Sequence, residues 1–432
     1  MTSLCKASKI RFLKHKSMKM KTSVLFPRLF TPLARIAVCA ASIAVCFSAV
    51  AAEKSLKWKV KALTVDGNEG IDVADFNKDG KLDVIAGRNW YAAPDFVARP
   101  VRTIEDWNGY VESNGDYAYD VNGDGWMDVI AGGFIPTEVH WYENPKAEAL
   151  KMGKMWPKHL LKNTGQSRNE GQLMHDLDGD GKPEWCVNSW GKDQPLMAWK
   201  LTTEEREVEV KKGKKTVKVK KTVPSLKQLL IGKEKNGHGL GFGDLNGDGL
   251  EDVLFEAGWY ERPKGDAFAQ PWKYHEQWFI HASVPILVRD LNGDGRNDVI
   301  VGMGHAFGLH WHEQLKPSAD GKLNFKQHTI DDSFSQPHAV AFADLDGDGD
   351  DELITGKRVY AHNGRDPGGR EQPCIYYYDW NKKKQKFTRH TIEEGRVGIG
   401  LQIRTADLNG DGRLDIAVAG KSGTHILFNQ GR

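Results

Sequence analysis

Short runs of β-branched and small apolar residues recur along this chain, each entered directly from a polar stretch rich in aspartate. Asp83-Val84-Ile85-Ala86-Gly87, Asp128-Val129-Ile130-Ala131-Gly132 and Asp298-Val299-Ile300-Val301-Gly302 show the form. Runs of this length closed by glycine predict strands. An aromatic run follows, as in Glu138-Val139-His140-Trp141-Tyr142, Leu309-His310-Trp311-His312 and Ile375-Tyr376-Tyr377-Tyr378, and predicts a third strand. Outer strands carry an aromatic-x-x-His-x-Ile/Leu pattern at Trp156 to Leu161, Phe325 to Ile330 and Phe387 to Ile392. With an inner strand ahead of each polar stretch, every repeat supplies four strands. The seven polar stretches start 45, 56, 68, 46, 54 and 63 residues apart, a spacing that suits four-stranded blades with insertions. The expected fold is all-β, a seven-bladed β-propeller. The last repeat ends at His425-Ile426-Leu427-Phe428 without an outer strand, and Trp58-Lys59-Val60-Lys61-Ala62-Leu63 has the form of the missing piece. The N-terminal strand is therefore expected to close the ring and remove its open sheet edges.

The polar stretches read Asp-x-Asn/Asp-x-Asp-Gly-x-x-Asp/Glu, with oxygen ligands at positions one, three, five and nine. They are Asp75, Asn77, Asp79 and Asp83; Asp120, Asn122, Asp124 and Asp128; Asp176, Asp178, Asp180 and Glu184; and Asp244, Asn246, Asp248 and Asp252. Asp290, Asn292, Asp294 and Asp298; Asp344, Asp346, Asp348 and Glu352; and Asp407, Asn409, Asp411 and Asp415 complete the set. Hard divalent cations take six to eight oxygens at about 2.3 to 2.6 Å, which alternate carboxylates on a tight turn supply. An EF-hand would need a bidentate Glu at position twelve. That position here reads Ala86, Ala131, Val187, Phe255, Val301, Thr355 and Val418. Structural Ca2+, up to one ion per blade, is the expectation. Position two is apolar throughout, from Phe76 to Leu408, so each loop should be pinned into a core.

Residues 1–52 read as an export leader. Basic residues from Lys6 to Arg35 precede an apolar run from Ile36 to Val50, and Ala49-Val50-Ala51-Ala52 offers a cleavage site. The run is shorter than the roughly 20 apolar residues that cross a bilayer, so no membrane span is expected after cleavage. The leader's nine Lys and Arg have no acidic counterpart, and without them the net charge of +2 becomes −7. Nucleic acid is excluded as an expected partner on that balance. The mature chain, residues 53–432, keeps Cys186 and Cys374 and is no disulfide scaffold. Secretion or a periplasmic location follows, with a monomer expected. Within residues 203–226 the alternation Glu207-Val208-Glu209-Val210, Lys211-Lys212-Gly213-Lys214-Lys215 and Val217-Lys218-Val219-Lys220 predicts a basic hairpin projecting between blades three and four.

In its loops the chain resembles the FG-GAP/VCBS repeat family over residues 55–432, and with it the integrin α headpiece. The Phe-Gly signature survives in fragments such as Gly241-Phe242-Gly243. The resemblance implies a calcium-loop propeller and says little about function.

A ligand site is expected at the channel face opposite the calcium loops. Six residues ahead of each loop stand Glu69, Asn114, Glu170, His238, Val284, His338 and Leu401, polar or ionisable in five repeats. The turns between second and third strands add His305, Trp90, Trp190, Trp259, Lys357, Arg358 and Lys421, and the long segment 356–373 suits a binding loop. His159, His328 and His390 recur at one outer-strand position and read as structural. Aromatic platforms beside His, Glu, Lys and Arg suit a carbohydrate or another polar small molecule. Trp141 to Pro145, Gln336-Pro337-His338 and Gly356-Lys357-Arg358 are similar to the propeller of aldos-2-ulose dehydratase. That resemblance implies a lyase removing water from keto-sugars, with a His or Lys as base and with a cationic group, or a second divalent metal on His238, His305, His338 and Glu170, stabilising the enolate. The alternative is a non-catalytic adhesion module for a glycan or an extracellular protein. No nucleophile elbow, phosphate loop or His-Glu-x-x-His helix is present.

Overall fold

The position-six glycine turns every acidic loop through the left-handed region, with φ from 81° at Gly80 to 94° at Gly349. A side chain there would be strained, so glycine is what lets the chain reverse. The reversal returns position nine to the amide of position two, and position nine begins the next strand in every repeat, from Asp83 to Asp415. The position-two side chains, Phe76 and Leu177 among them, are buried. These features belong to a computed structural model that describes residues 55–107, 109–191, 194–278 and 280–432. The expected leader, residues 1–52, lies outside them.

Seven four-stranded antiparallel sheets result, and the seven-bladed propeller is the fold. The first blade runs outward through Asp72–Ala74, Asp83–Ala86, Asn89–Ala92 and Val97–Pro100. The next five repeat that order. In the seventh, Ile403–Ala406, Asp415–Gly420 and Gly423–Asn429 are completed by Trp58–Thr64, which pairs antiparallel with the last strand from Trp58 opposite Asn429 to Thr64 opposite Thr424. The N-terminal closure is thus observed.

Alternate residues of a strand face opposite sides of its sheet, and here both sides are covered by neighbouring blades. Val84 packs with Ala417 and Ile426 of the seventh blade, whereas Ile85 packs with Val129 and Trp156 of the second. Seven apolar clusters fill the seven gaps between blades. Burial on two faces explains why second strands are continuous apolar runs instead of alternating ones.

The outer-strand histidines are structural, as expected. His159 stacks on Trp141 at 4.7 Å, His328 on Trp311 at 4.4 Å and His390 on Tyr377 at 4.7 Å. Each pairs with a third-strand acid, Glu143, Glu313 or Asp379. The basic hairpin differs from its expected position. It does not stand between blades three and four but prolongs the third and outer strands of blade three, Leu196–Lys212 and Lys215–Gly232, in one register from Met197 opposite Leu230 down to Lys212 opposite Lys215. Its apolar and charged alternation continues the strand pattern without a break, and the first turn-former is Gly213, at φ 60°. Cys186 and Cys374 are buried free thiols. No helix among the described residues is long and apolar enough to cross a membrane.

Removing residues 55–64 should lower the thermal midpoint sharply, and an unchanged Tm would show that closure contributes nothing. Leu427, fully buried between blades six and seven, should cost about 2–5 kcal/mol on replacement by Ala. The exposed Val65, at 89 % accessibility, should stay within about 0.5 kcal/mol in chemical denaturation.

Candidate metal centre at the channel mouth

Residues just ahead of the inner strands lie at the strand ends remote from the acidic loops, and there the chain gathers its buried charge. Arg358 leaves the second strand of blade six and reaches across to two other blades. Its Nε and Nη2 donate to the two oxygens of Glu69 at 2.6 and 2.8 Å, and its Nη1 donates to Glu170 Oε1. All three residues are buried. Burial alone would raise the Glu69 carboxyl from 4.5, but the guanidinium outweighs it and holds it at about 2. Against the same effect of burial, Arg358 with His238 and His338 keeps Glu170 well below the carboxylate range.

Three imidazoles close around Glu170. His238 Nε2 lies 3.1 Å from His338 Nε2, 2.9 Å from His305 Nε2 and 3.4 Å from Glu170 Oε2. His338 Nε2 is 3.4 Å from Glu170 Oε1, and the four ligand atoms all lie within 4.8 Å of one another. Burial lowers His305 to about 4; burial, then the charge of Arg358, lowers His338 to about 3. Both rings are therefore neutral at ordinary pH, the state in which imidazole binds metals. Nitrogens bonded to one ion at about 2.0–2.1 Å in tetrahedral geometry stand roughly 3.3 Å apart, close to the observed separations. His305 Nδ1 meets Asp366 Oδ2 at 2.9 Å, the carboxylate partner that commonly orients a metal-bound histidine. Nδ1 of His238 and of His338 has no hydrogen-bond partner. The set fits a borderline transition ion.

The outer side of the centre is made by Trp190 and the loop after Arg358. Trp190 Nε1 donates to Glu170 Oε2 at 2.6 Å, and its ring meets His238, His305 and His362 edge-on at 5.6 to 5.8 Å. His362 stacks on His305 at 4.5 Å and 4°, with Nδ1 3.0 Å from Asp366 Oδ1. Its side chain is 45 % exposed, so it faces whatever enters. Tyr360, His362 and Asn363 hold left-handed backbone at φ 52°, 48° and 57°. Such strain in residues other than glycine concentrates at functional sites.

The expected residues are not all here. Glu69, Glu170, His238, His305, His338, Trp190 and Arg358 come together. Lys357 is buried nearby, but its ammonium donates to Ser335 Oγ at 2.6 Å, Gln336 Oε1 at 3.3 Å and Gly368 O at 2.6 Å. All three of its protons are taken, and it braces the loop where a base was expected. Lys421 reaches Tyr360 O at 3.4 Å, with its pKa lowered by burial. Asn114 is buried, its N–H bonded to Gly132 O. Trp90 and Trp259 are not ligand platforms. Each sits inside a third strand, facing the next blade: Trp90 in the cluster with Phe76 and Trp156, Trp259 stacked on His275 at 4.1 Å. His362 and Asp366 escaped residue-level reading; the only signal was the length and Gly/His content of segment 356–373.

The acidic loops have the expected shape. Asp75 accepts the amides of Asp79 and Gly80, Asn77 Oδ1 that of Asp79, and Asp79 Oδ1 that of Lys81. Position nine is buried in every repeat. Burial, with the other loop carboxylates adding to it, raises Asp83, Asp128 and Asp252 to about 7. A bound cation would relieve that cost.

Residues 290–355 match the FG-GAP-like repeat family. A search of curated proteins returned no match. Among solved structures, BBS1N in complex with ARL6DN is 10% identical, aligned over 87% of this chain and 97% of that one, with a TM-score of 0.47. Sqt1 of Saccharomyces cerevisiae is 10% identical over 88% and 99%, at 0.43. The V. cholerae biofilm matrix protein Bap1 is 12% identical over 85% and 69%, at 0.27. The likeness to aldos-2-ulose dehydratase found no support in any comparison.

Replacing Arg358 by Met would strand Glu69 and Glu170 as buried anions and should cost about 3–5 kcal/mol of stability. Glu69 is depressed on folding, so its contribution is present above pH 4.5 and is lost as pH falls from 4.5 towards about 2. Denaturation across that window should be shallower in Glu69→Gln than in the parent.

Proposed function

We propose that this protein is a calcium-stabilised propeller that carries a transition-metal centre at its channel mouth and binds there an oxygen-rich small molecule of the carbohydrate class. The observation that carries the reading is the convergence of His238, His305 and His338 Nε2 with the Glu170 carboxylate inside 4.8 Å. Three histidines and one carboxylate suit zinc, iron or manganese better than calcium, which prefers oxygen alone. A metal bound here would supply Lewis-acid polarisation of a ligand oxygen.

The chain's own residues supply the rest. Asp366 holds Nδ1 of His362 and Nδ1 of His305, so it orients one metal ligand and one exposed imidazole together. His362 is a histidine placed to move a proton at the entry to the centre, the role that the resemblance gives to a His or Lys. For dehydration of a keto-sugar, His362 would take the proton α to the carbonyl and return it to the departing β-hydroxyl, which leaves as water. Trp190 stands beside the centre as an aromatic wall. The alternative, a non-catalytic interaction module, accords with the FG-GAP-like match over residues 290–355 and needs calcium alone.

Elemental analysis of the purified protein should find one transition ion per chain besides calcium. His238→Ala and His338→Ala should each lose the transition ion and keep the calcium. Asp366→Asn should weaken transition-metal affinity about 10- to 100-fold, and His362→Ala should keep the metal while losing keto-sugar turnover. Calcium alone in the parent protein would favour the interaction module.

A further inference from the structure

One of the seven acidic loops differs from the others in what faces it. In blade three the Lys200 ammonium pairs with Asp178, with Asp180 Oδ2 at 2.8 Å and with Glu184 Oε1 at 3.1 Å. Those are positions three, five and nine of the loop, three of the four side chains expected to hold an ion.

The register shows how Lys200 comes to be there. Trp185 lies opposite Trp199, which sets Lys200 across from Glu184 at position nine. The same antiparallel count sets Ala92, Glu143, Glu261, Glu313, Asp379 and Phe428 across from position nine in the other six blades. Four of these are acids and two are apolar; a base occurs in blade three alone. Lys146, Arg296 and Arg413 touch loops from the rim at the position-five carboxylates Asp124, Asp294 and Asp411, and Arg432 meets Asp346 at position three of the sixth loop; none of these ion pairs includes position nine.

The position-nine glutamates differ from the five aspartates in blade three and in blade six, where Glu352 Oε2 accepts Leu345 N at 2.7 Å. In five loops the position-nine Asp spends one oxygen on the position-two amide and the other on an amide at or just past the end of the third strand, of Ala93, Asn144, Arg262, Gln314 or Asn429. Glu184 Oε2 accepts Leu177 N at 2.9 Å in the usual way. Its Oε1 is fully buried without a hydrogen bond and is met by Lys200. What sets Glu184 apart from Glu352 is the lysine across from it.

We infer that Lys200 is the resident cation of the third loop, so that this repeat takes no calcium while the others do. The inference rests on the calcium reading of the remaining loops. An ammonium held at three carboxylates offsets one of their charges and occupies the point on which they converge, and a calcium ion could enter only by displacing a covalently tethered competitor. Blade three carries Glu170 and Trp190 to the channel mouth, so the loop beneath that part of the centre would keep its shape when calcium is withdrawn.

The test is calcium stoichiometry of the full chain by elemental analysis after equilibration with calcium and removal of free ion. Lys200→Met should bind one calcium per chain more than the parent. Glu143→Lys, which places an ammonium at the equivalent point of blade two, should bind one fewer. An unchanged count in Lys200→Met, or in Glu143→Lys should the first variant fail to fold, would overturn the inference while leaving calcium in the other loops intact. No calcium in any of the three proteins would overturn both the inference and the calcium reading.

Discussion

The propeller depends on one buried carboxylate per blade. At position nine of every loop an aspartate or glutamate accepts the amide of position two, from Phe76 N on Asp83 at 3.1 Å to Leu408 N on Asp415 at 3.0 Å. In five blades the other oxygen accepts an amide at or just past the end of the third strand, so one side chain welds loop, second strand and third strand together. A buried carboxylate is costly unless its oxygens are satisfied, and here backbone donors satisfy them. Three blades extend the weld to a neighbour. The side-chain amides of Asn144, Gln314 and Asn429, whose backbone N–H groups serve position nine, donate to the carbonyls of Phe76, Leu245 and Leu345 one blade back.

The opposite face solves a different electrostatic problem. Glu69, Glu170 and Arg358 come from blades one, three and six and share two negative charges with one positive at almost no exposure. A guanidinium suits this because its planar fork can bind one carboxylate with two donors and still reach a second. Glu170 is thereby held where three histidines can join it. Rigid strands position these residues, while the strained 360–363 turn supplies an exposed group, His362. His281, 49 % exposed, is a second accessible imidazole, its ring 5.7 Å from His238 and 5.9 Å from His305.

Much of this was legible in the chain. The histidines separated by register: those recurring on the outer strand pack on aromatics, and those outside the repeat meet at the channel. Trp90 and Trp259 differ from expectation because each is already the second residue of its strand, and strand parity turns it into the gap between blades. The hairpin misled because a continuous alternation does not mark where a blade ends and a projection begins. His362 and Asp366 were hidden because their meeting depends on left-handed turns at residues other than glycine, for which local sequence carries no signal.

The sequence by itself determined the repeat, the loop chemistry and the ring. Those rest on local rules: a glycine that permits a reversal, carboxylates at alternate positions, and β-branched runs that need two buried faces. Only the tertiary structure decided which side chains meet across the channel and which loop is filled by Lys200. Glu69 and Arg358 are 289 residues apart, and no local preference encodes a contact at that distance. The closure of seven blades sets it, since the geometry of the ring brings the starts of the inner strands together at one mouth.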